Sequence, residues 1–200
     1  MARTEYATLA QLKAFITMAG AVVDRDDLMT LALDAAHDQI ERKCGRRFYL
    51  DGSATARDFD PAERVVEDRG RQILLVDDIG SLTDFAVATG TTVFTAISTA
   101  VEYRPENALT RGRAITGLLS ASGLWPADPF TRVRVTARWG WPAVPGEIKE
   151  ATLLQASRLY ARRKSPQGVV GTAEWGEIRL SRADSDVTDL LDPFTKPGFA

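Results

Sequence analysis

The chain has one cysteine, Cys44, and one histidine, His37. A lone cysteine builds no intrachain disulfide framework, which fits a reducing compartment. Structural zinc takes three or four ligands, and no other His or Cys completes the usual set. The two residues stand seven apart on one predicted helix, about two turns, which is too far for a Cys–His nucleophile pair. A core cysteine and a boundary histidine are the expectation. The sequence also lacks any run of about 18 uncharged apolar residues, so no membrane-spanning helix and no membrane partner are expected. The N-terminal stretch, with Arg3, Glu5 and Lys13, lacks the apolar run and cleavage site of a secretory signal. No GxGxxG, Walker loop, GxSxG or HExxH occurs. Nor does one sign of charge dominate: 25 Lys+Arg against 27 Asp+Glu leave −2. That balance disfavours a generally basic nucleic-acid binder while allowing local basic patches. These absences exclude several kinds of enzyme and put none in their place. No catalytic, metal-ligating or cofactor-binding residue is assigned, and no cofactor is expected.

What is present is ordinary globular material. At 200 residues, 44% hydrophobic and 26% charged, the chain is long enough to bury a core without staples. Thr8 with Gln11 forms a capping-box pattern ahead of Leu9, Leu12, Phe15 and Ile16, and Gly20 is the expected stop. Asp24 is the expected N-cap of a stronger helix, with Asp26 and Asp27 in its first turn. Its apolar side carries Leu28, Met29, Ala32, Leu33, Ala36, Ile40 and Cys44. Arg42 and Lys43 close the last turn and Gly45 follows as the C′ glycine. From Phe48 to about Trp141 the texture turns to short β-branched runs: Gln72–Val76, Thr83–Thr89, Thr92–Ile97, Ala100–Arg104 and Arg132–Trp139. Gly90-Thr91 predicts a tight hairpin. The stretch from Pro105 to Pro129, rich in Gly, Asn and Pro, predicts a long ordered loop. A third helix is expected from about Pro145 to Lys164, broken by Ser165-Pro166-Gln167-Gly168. The fold class is therefore α+β: a small core of three main helices, an inserted β-rich subdomain and an extended C-terminal tail. The parts are residues 1–47, 48–141, 142–167 and 168–200.

The chemistry-bearing clusters each have a plain alternative. The carboxylate pairs Asp26-Asp27, Asp58 with Asp60, Glu67-Asp68 and Asp77-Asp78 are accounted for by caps, turns and solvated faces. Asp77-Asp78 in particular reads as a turn after a strand. Arg42, Lys43, Arg46 and Arg47 gather at one helix end, and Arg158, Arg162, Arg163 and Lys164 at another. The strand Arg132-Val133-Arg134-Val135-Thr136-Ala137-Arg138 alternates, with three arginines on one face and Val133, Val135 and Ala137 on the other. These arginines either pass near phosphates or complement helix dipoles and solvate a half-buried strand. Trp139-Gly140-Trp141-Pro142 and Leu124-Trp125-Pro126 read as wedges that fix loops against a core, with base stacking as the alternative.

Several stretches, taken in order, resemble the head–tail connector (adaptor, or head-completion) proteins of long-tailed bacteriophages and prophages. They are the opening Tyr6 to Lys13, the helix exit Ile40-Glu41-Arg42-Lys43-Cys44-Gly45-Arg46-Arg47-Phe48-Tyr49, the passage Arg132 to Pro145 followed by Ile148-Lys149-Glu150-Ala151, and Arg162 to Val169. The resemblance implies a virion structural protein and no enzyme. It implies a ring of about twelve subunits under the portal protein, joined to a stopper or tail-completion protein. Double-stranded DNA would pass through the channel without sequence specificity. The location implied is the head–tail interface of the virion, after assembly in host cytoplasm. Within that frame the tail from about Gly168 to Ala200, through Trp175, Ile178, Leu180, Leu190, Leu191, Phe194 and Phe199, is expected to pack on the portal. Arg42, Lys43, Arg46 and Arg47 are expected to face DNA or an acidic partner. Two alternatives remain: a DNA-binding or packaging accessory, marked by salt-dependent DNA affinity, and a hydrolase with an acidic cleft in the β-region.

Overall fold

The computed structural model describes residues 5–18, 25–97, 101–120, 125–126, 128–162 and 185–196, and the backbone alone at 169–170 and 178–179. Gly20, Asp24, Ala100, Leu124, Arg163, Lys164 and the break at 165–168 lie outside the described residues; the N-cap of the second helix is Arg25, without a side-chain cap bond, and not the expected Asp24. In chain order the elements are helices α1 (Leu9–Met18) and α2 (Asp26–Cys44), strand β1 (Thr55–Phe59), the single turn α3 (Pro61–Arg64), and strands β2 (Val65–Asp68), β3 (Arg71–Gly90), β4 (Phe94–Ala96), β5 (Val101–Arg104), β6 (Ile115–Ser120) and β7 (Arg132–Trp139). Helix α4 (Gly146–Arg162), strands β8 (Val169–Val170) and β9 (Ile178–Arg179), and helix α5 (Ser185–Leu191) follow. They form two compact units, a helical one of Met1–Arg46 with Val144–Ala200 and a sheet unit of Arg47–Ala143. The fold is α+β, with one large antiparallel sheet.

In the helical unit local chemistry sets the helix ends. The Gln11 N–H donates to the Thr8 hydroxyl at 3.2 Å and the Thr8 N–H to Gln11 Oε1 at 2.8 Å, the reciprocal capping box read from the sequence. Helix α2 stops because Gly45 takes φ +64° and returns its N–H to the Glu41 carbonyl at 2.8 Å, a conformation that carries no Cβ penalty in glycine. The apolar stripes of α1 and α2 meet α4, so that Leu12, Ile16, Met29, Leu33, Ala156 and Tyr160 share one core. His37 corrects the boundary expectation. It is 4% exposed, stacked on Tyr6 with centroids 3.8 Å apart. Its Nδ1 also faces Glu41 Oε1 at 3.8 Å, so the buried ring has both an aromatic neighbour and a carboxylate beside it.

The sheet unit is organised by β3, twenty residues long. Its first half lies between β2 and β6, and its second half between β7 and β4. Register shifts between Leu75 and Ile79, and from Ile79 through Ser81 to Ala86, bend it so that one strand serves both halves. The two expected strands at Gln72–Val76 and Thr83–Thr89 are therefore one, and the Asp77-Asp78 turn between them does not exist. Tertiary partners reach both carboxylates. Arg57 Nη1 donates to Asp77 at 2.7 Å, and Trp141 Nε1 donates to the buried Asp78 at 3.3 Å.

The expected loop from Pro105 to Pro129 is a second correction, because β6 runs through it and pairs with both β3 and β5. Gly117, which reads as a turn signal, sits opposite Leu75 and Arg104. A Cβ there would stand 2.7 Å from Ile73 Cγ2, so the glycine permits a close approach between strands rather than a turn. The alternation of β7 holds in full: Val133, Val135, Ala137 and Trp139 are all at most 1% exposed. With Leu74, Ile79 and Leu118 they form the core of this unit.

Candidate functional site

Several of the clustered arginines have carboxylate partners. On the outer face of β7, Arg134 makes a two-pronged pair with Asp58 at 2.7 and 2.8 Å, while its guanidinium lies 3.7 Å from the Phe94 ring centroid. Arg132 meets Asp60 at 3.1 Å, and Arg138 Nε donates to the Asp51 carbonyl at 3.0 Å. A fork-to-fork arginine–carboxylate pair holds geometry and cancels field. Hydrogen bonding from Arg134 holds the Asp58 carboxyl below its ordinary range. Arg132 and Arg134 are thus charge-paired, with Asp60 and Asp58 as their counter-charges, while Arg138 bonds a backbone carbonyl and keeps its charge. Asp60 also accepts from the Ala62 N–H at 3.0 Å, capping α3.

The basic helix exit divides between the units. Arg42 is exposed on the last turn of α2, and Lys43 Nζ stands 3.5 Å from Asp192 in the same unit. Arg46 is half-buried and closes the helical unit. Arg47 opens the sheet unit, where it meets Asp51 at 3.6 Å and donates to the Tyr49 hydroxyl at 3.1 Å.

Of the tail residues, Trp175, Leu180 and Phe199 lie outside the described residues, and Ile178 is described only as backbone paired with Val170. Leu190, Leu191 and Phe194 are described, and here the extended-tail expectation is corrected. Ser185–Leu191 is helical and Asp192–Phe194 a 3-10 turn. Leu191 is 3% exposed within its own helical unit; Leu190 and Phe194 are half-buried. The segment lies against the end of α2. The Lys196 N–H donates to the Cys44 carbonyl at 3.0 Å, and the Cys44 thiol faces the Leu191 carbonyl at 4.0 Å. Burial pushes the Cys44 thiol up from its ordinary range, as for a core cysteine with no reactive thiolate. An amphipathic spacing over Val187, Leu190 and Leu191 was the available signal, but it is too short to stand out from a polar tail.

Two further features had no sequence signal. Val93, in the turn after β3, is 81% exposed, and Phe130, just ahead of β7, is 76% exposed. The Gly90–Arg132 pairing brings their turns to the same end of the sheet. Among the described residues no group of three or more His, Cys, Asp or Glu is arranged to hold a metal ion.

The carboxylates make a prediction. Hydrogen bonds from Arg25 pull Asp27 down to about 2, and Asp58 is lowered by Arg134. Glu102 is lowered by Arg71 and Asp128 by Thr131. Each folded carboxyl titrates below its unfolded counterpart, so the unfolded chain binds protons first as pH falls. Their stabilisation is complete above the ordinary carboxylate range of about 4 and is lost towards about 2, the value for Asp27. Urea midpoints measured across pH should hold above that range and fall through it, less steeply in high salt. A midpoint flat to pH 2 would contradict these pairings.

No protein-family model matches the chain, and no curated protein sequence matches it. Among solved structures it is similar to a chain in the neck of the empty gene transfer agent (GTA) particle, determined with C6 symmetry. The identity is 14% and the TM-score 0.53, over 96% of this chain and 90% of that one. A chain in the virion of the native gene transfer agent particle aligns over 90% of this chain and 82% of its own, at 14% identity and a TM-score of 0.48. The first likeness agrees with the connector resemblance read from the sequence: this chain has a fold that occurs in the neck of a phage-like particle.

Proposed function

We propose that the protein is a virion structural component of the neck, a head–tail connector. In this reading it forms a ring beneath the portal and joins the head to a stopper or tail-completion protein. Double-stranded DNA passes through the ring without sequence-specific contact during packaging and ejection. The subunit acts by docking and not by catalysis, and it assembles in host cytoplasm before residing in the virion. The observation that carries this reading is the fold likeness to a GTA neck chain, which spans nearly the full length of both chains. The pairing of Arg132 and Arg134 on the β7 face supports it from the physical side. Free phosphate-binding arginines would release counterions and grip the duplex, whereas arginines held by Asp58 and Asp60 present little net field to passing DNA.

Deleting the chain from a particle-producing cell tests this directly. Filled heads without tails are expected by electron microscopy, with a ring of the tagged chain between portal and tail in the complemented particles. Tailed particles lacking the chain would overturn the proposal. The free subunit is expected to leave duplex DNA unshifted at low salt; a salt-sensitive shift would favour the packaging accessory.

A further inference from the structure

The described contacts that seat Ser185–Lys196 join it to the end of α2 and to α4 within the helical unit. Val187 and Leu191 supply the buried apolar anchors, at 8% and 3% exposure, and α5 packs against both α4 and α2. The Lys196 N–H satisfies the Cys44 carbonyl, one of the acceptors that a helix end leaves without an intrahelical donor. Lys43 meets Asp192 at 3.5 Å. The Thr195 hydroxyl donates to the Leu191 carbonyl at 3.2 Å, the same carbonyl that the Cys44 thiol faces at 4.0 Å. The groove and its occupant are thus complementary in apolar surface, charge and backbone hydrogen bonding. Nothing in that complementarity depends on the two belonging to one chain.

Covalent geometry leaves room for exchange. Roughly 20 residues connect Arg162 to Ser185. With Val169–Val170 paired to Ile178–Arg179, the remaining contour is about 40 Å. A domain of the helical unit's size is about 35 Å across.

We propose that Ser185–Lys196 is an exchangeable arm: in the ring it seats in the α2–α4 groove of the neighbouring copy, the same groove it fills on its own subunit when free. The inference rests on the ring reading above. A closed ring needs a donor surface and a different acceptor surface on every copy, and this segment and groove already fit one another. Exchange keeps every contact and adds a tie between neighbours. In dilute solution the intramolecular arrangement wins, because the tether holds the arm near its own groove at an effective concentration on the order of millimolar.

The single native cysteine makes the test clean. Thr195→Cys places a second thiol beside Cys44. Oxidation of the dilute subunit is expected to give a monomer with both thiols consumed. Oxidation of assembled rings is expected to give a covalent ladder of dimers and larger species on a non-reducing gel. Should Thr195→Cys fail to fold, Lys43→Cys with Asp192→Cys in a Cys44→Ser background puts two thiols at the exposed edge of the same groove, and a short bismaleimide, which spans the longer separation of a lysine–aspartate contact, reads the same ladder. Rings that yield only internally bridged monomers, or no bridge in either variant, would overturn the exchange while leaving the ring reading intact. A chain that sediments as a monomer in isolated neck assemblies would instead remove the ring reading itself.

Discussion

Trp139→Ala is expected to cost the sheet unit about 3–5 kcal/mol, the range for removing a large buried aromatic. Trp139 is 1% exposed. Its Nε1 donates to the Thr55 carbonyl at 2.8 Å, tying β1 to β7 at the point where the edge strand begins. Phe59 packs on its ring with centroids 5.8 Å apart, and the Arg57 guanidinium lies 4.4 Å from the ring centroid. Alanine removes the apolar area, leaves the Thr55 carbonyl short of a donor, and frees Arg57 from the ring. Against a typical domain stability of about 5–15 kcal/mol, this is enough to populate the unfolded sheet unit. Urea unfolding followed by tryptophan-independent far-UV signal checks it: a midpoint within error of the parent would show that Trp139 does not organise this core.

Gly140→Ala is expected to be comparably damaging although it adds one carbon. Gly140 has φ +106°, and a Cβ built there would stand 1.8 Å from the Tyr49 carbonyl oxygen. Its own N–H donates to the Asp78 carbonyl at 2.7 Å, so the backbone cannot swing away without losing that bond. The cost combines backbone strain of about 1–3 kcal/mol with displacement of the 49–50 backbone. Gly70→Ala is the control. Gly70 also has positive φ, +74°, but nothing lies within 4 Å of its Cβ position, so it carries strain alone, about 1–2 kcal/mol. A larger loss at 140 than at 70 is the expected result; equal losses would mean that the Tyr49 backbone yields freely.

Some elements were legible from the sequence because their determinants are local. The Thr8–Gln11 box, the Gly45 stop of α2 and the alternation of β7 each depend on residues within a turn or two, and each appears as read. Strands β1 and β2 carry charged residues and too little apolar alternation to be seen alone, and they exist because β7 and β3 pair with them. Gly117 and Asp77-Asp78 were misread for one reason. Turn signals assume that a glycine marks a reversal and that adjacent carboxylates need water, and both assumptions fail where distant residues come close. Arg57, Trp141 and Ile73 are not sequence neighbours of the residues they redefine.

The same division runs through the candidate surfaces. The sequence by itself determined where the arginines cluster, that the net charge is −2, and that one cysteine and one histidine are too few for the usual metal and nucleophile designs. It also determined the start of α1 and the stop of α2, since the Thr8–Gln11 box and the Gly45 cap act over three or four residues. Only the tertiary structure decided that Arg134 and Arg132 are held by Asp58 and Asp60, that Cys44 lies beneath the segment ending at Lys196, and that Leu191 is covered within its own unit. The physical reason is that ion pairing, burial and strand pairing depend on distance in space. Residues 76 positions apart, Asp58 and Arg134, reach 2.7 Å only after the chain has folded.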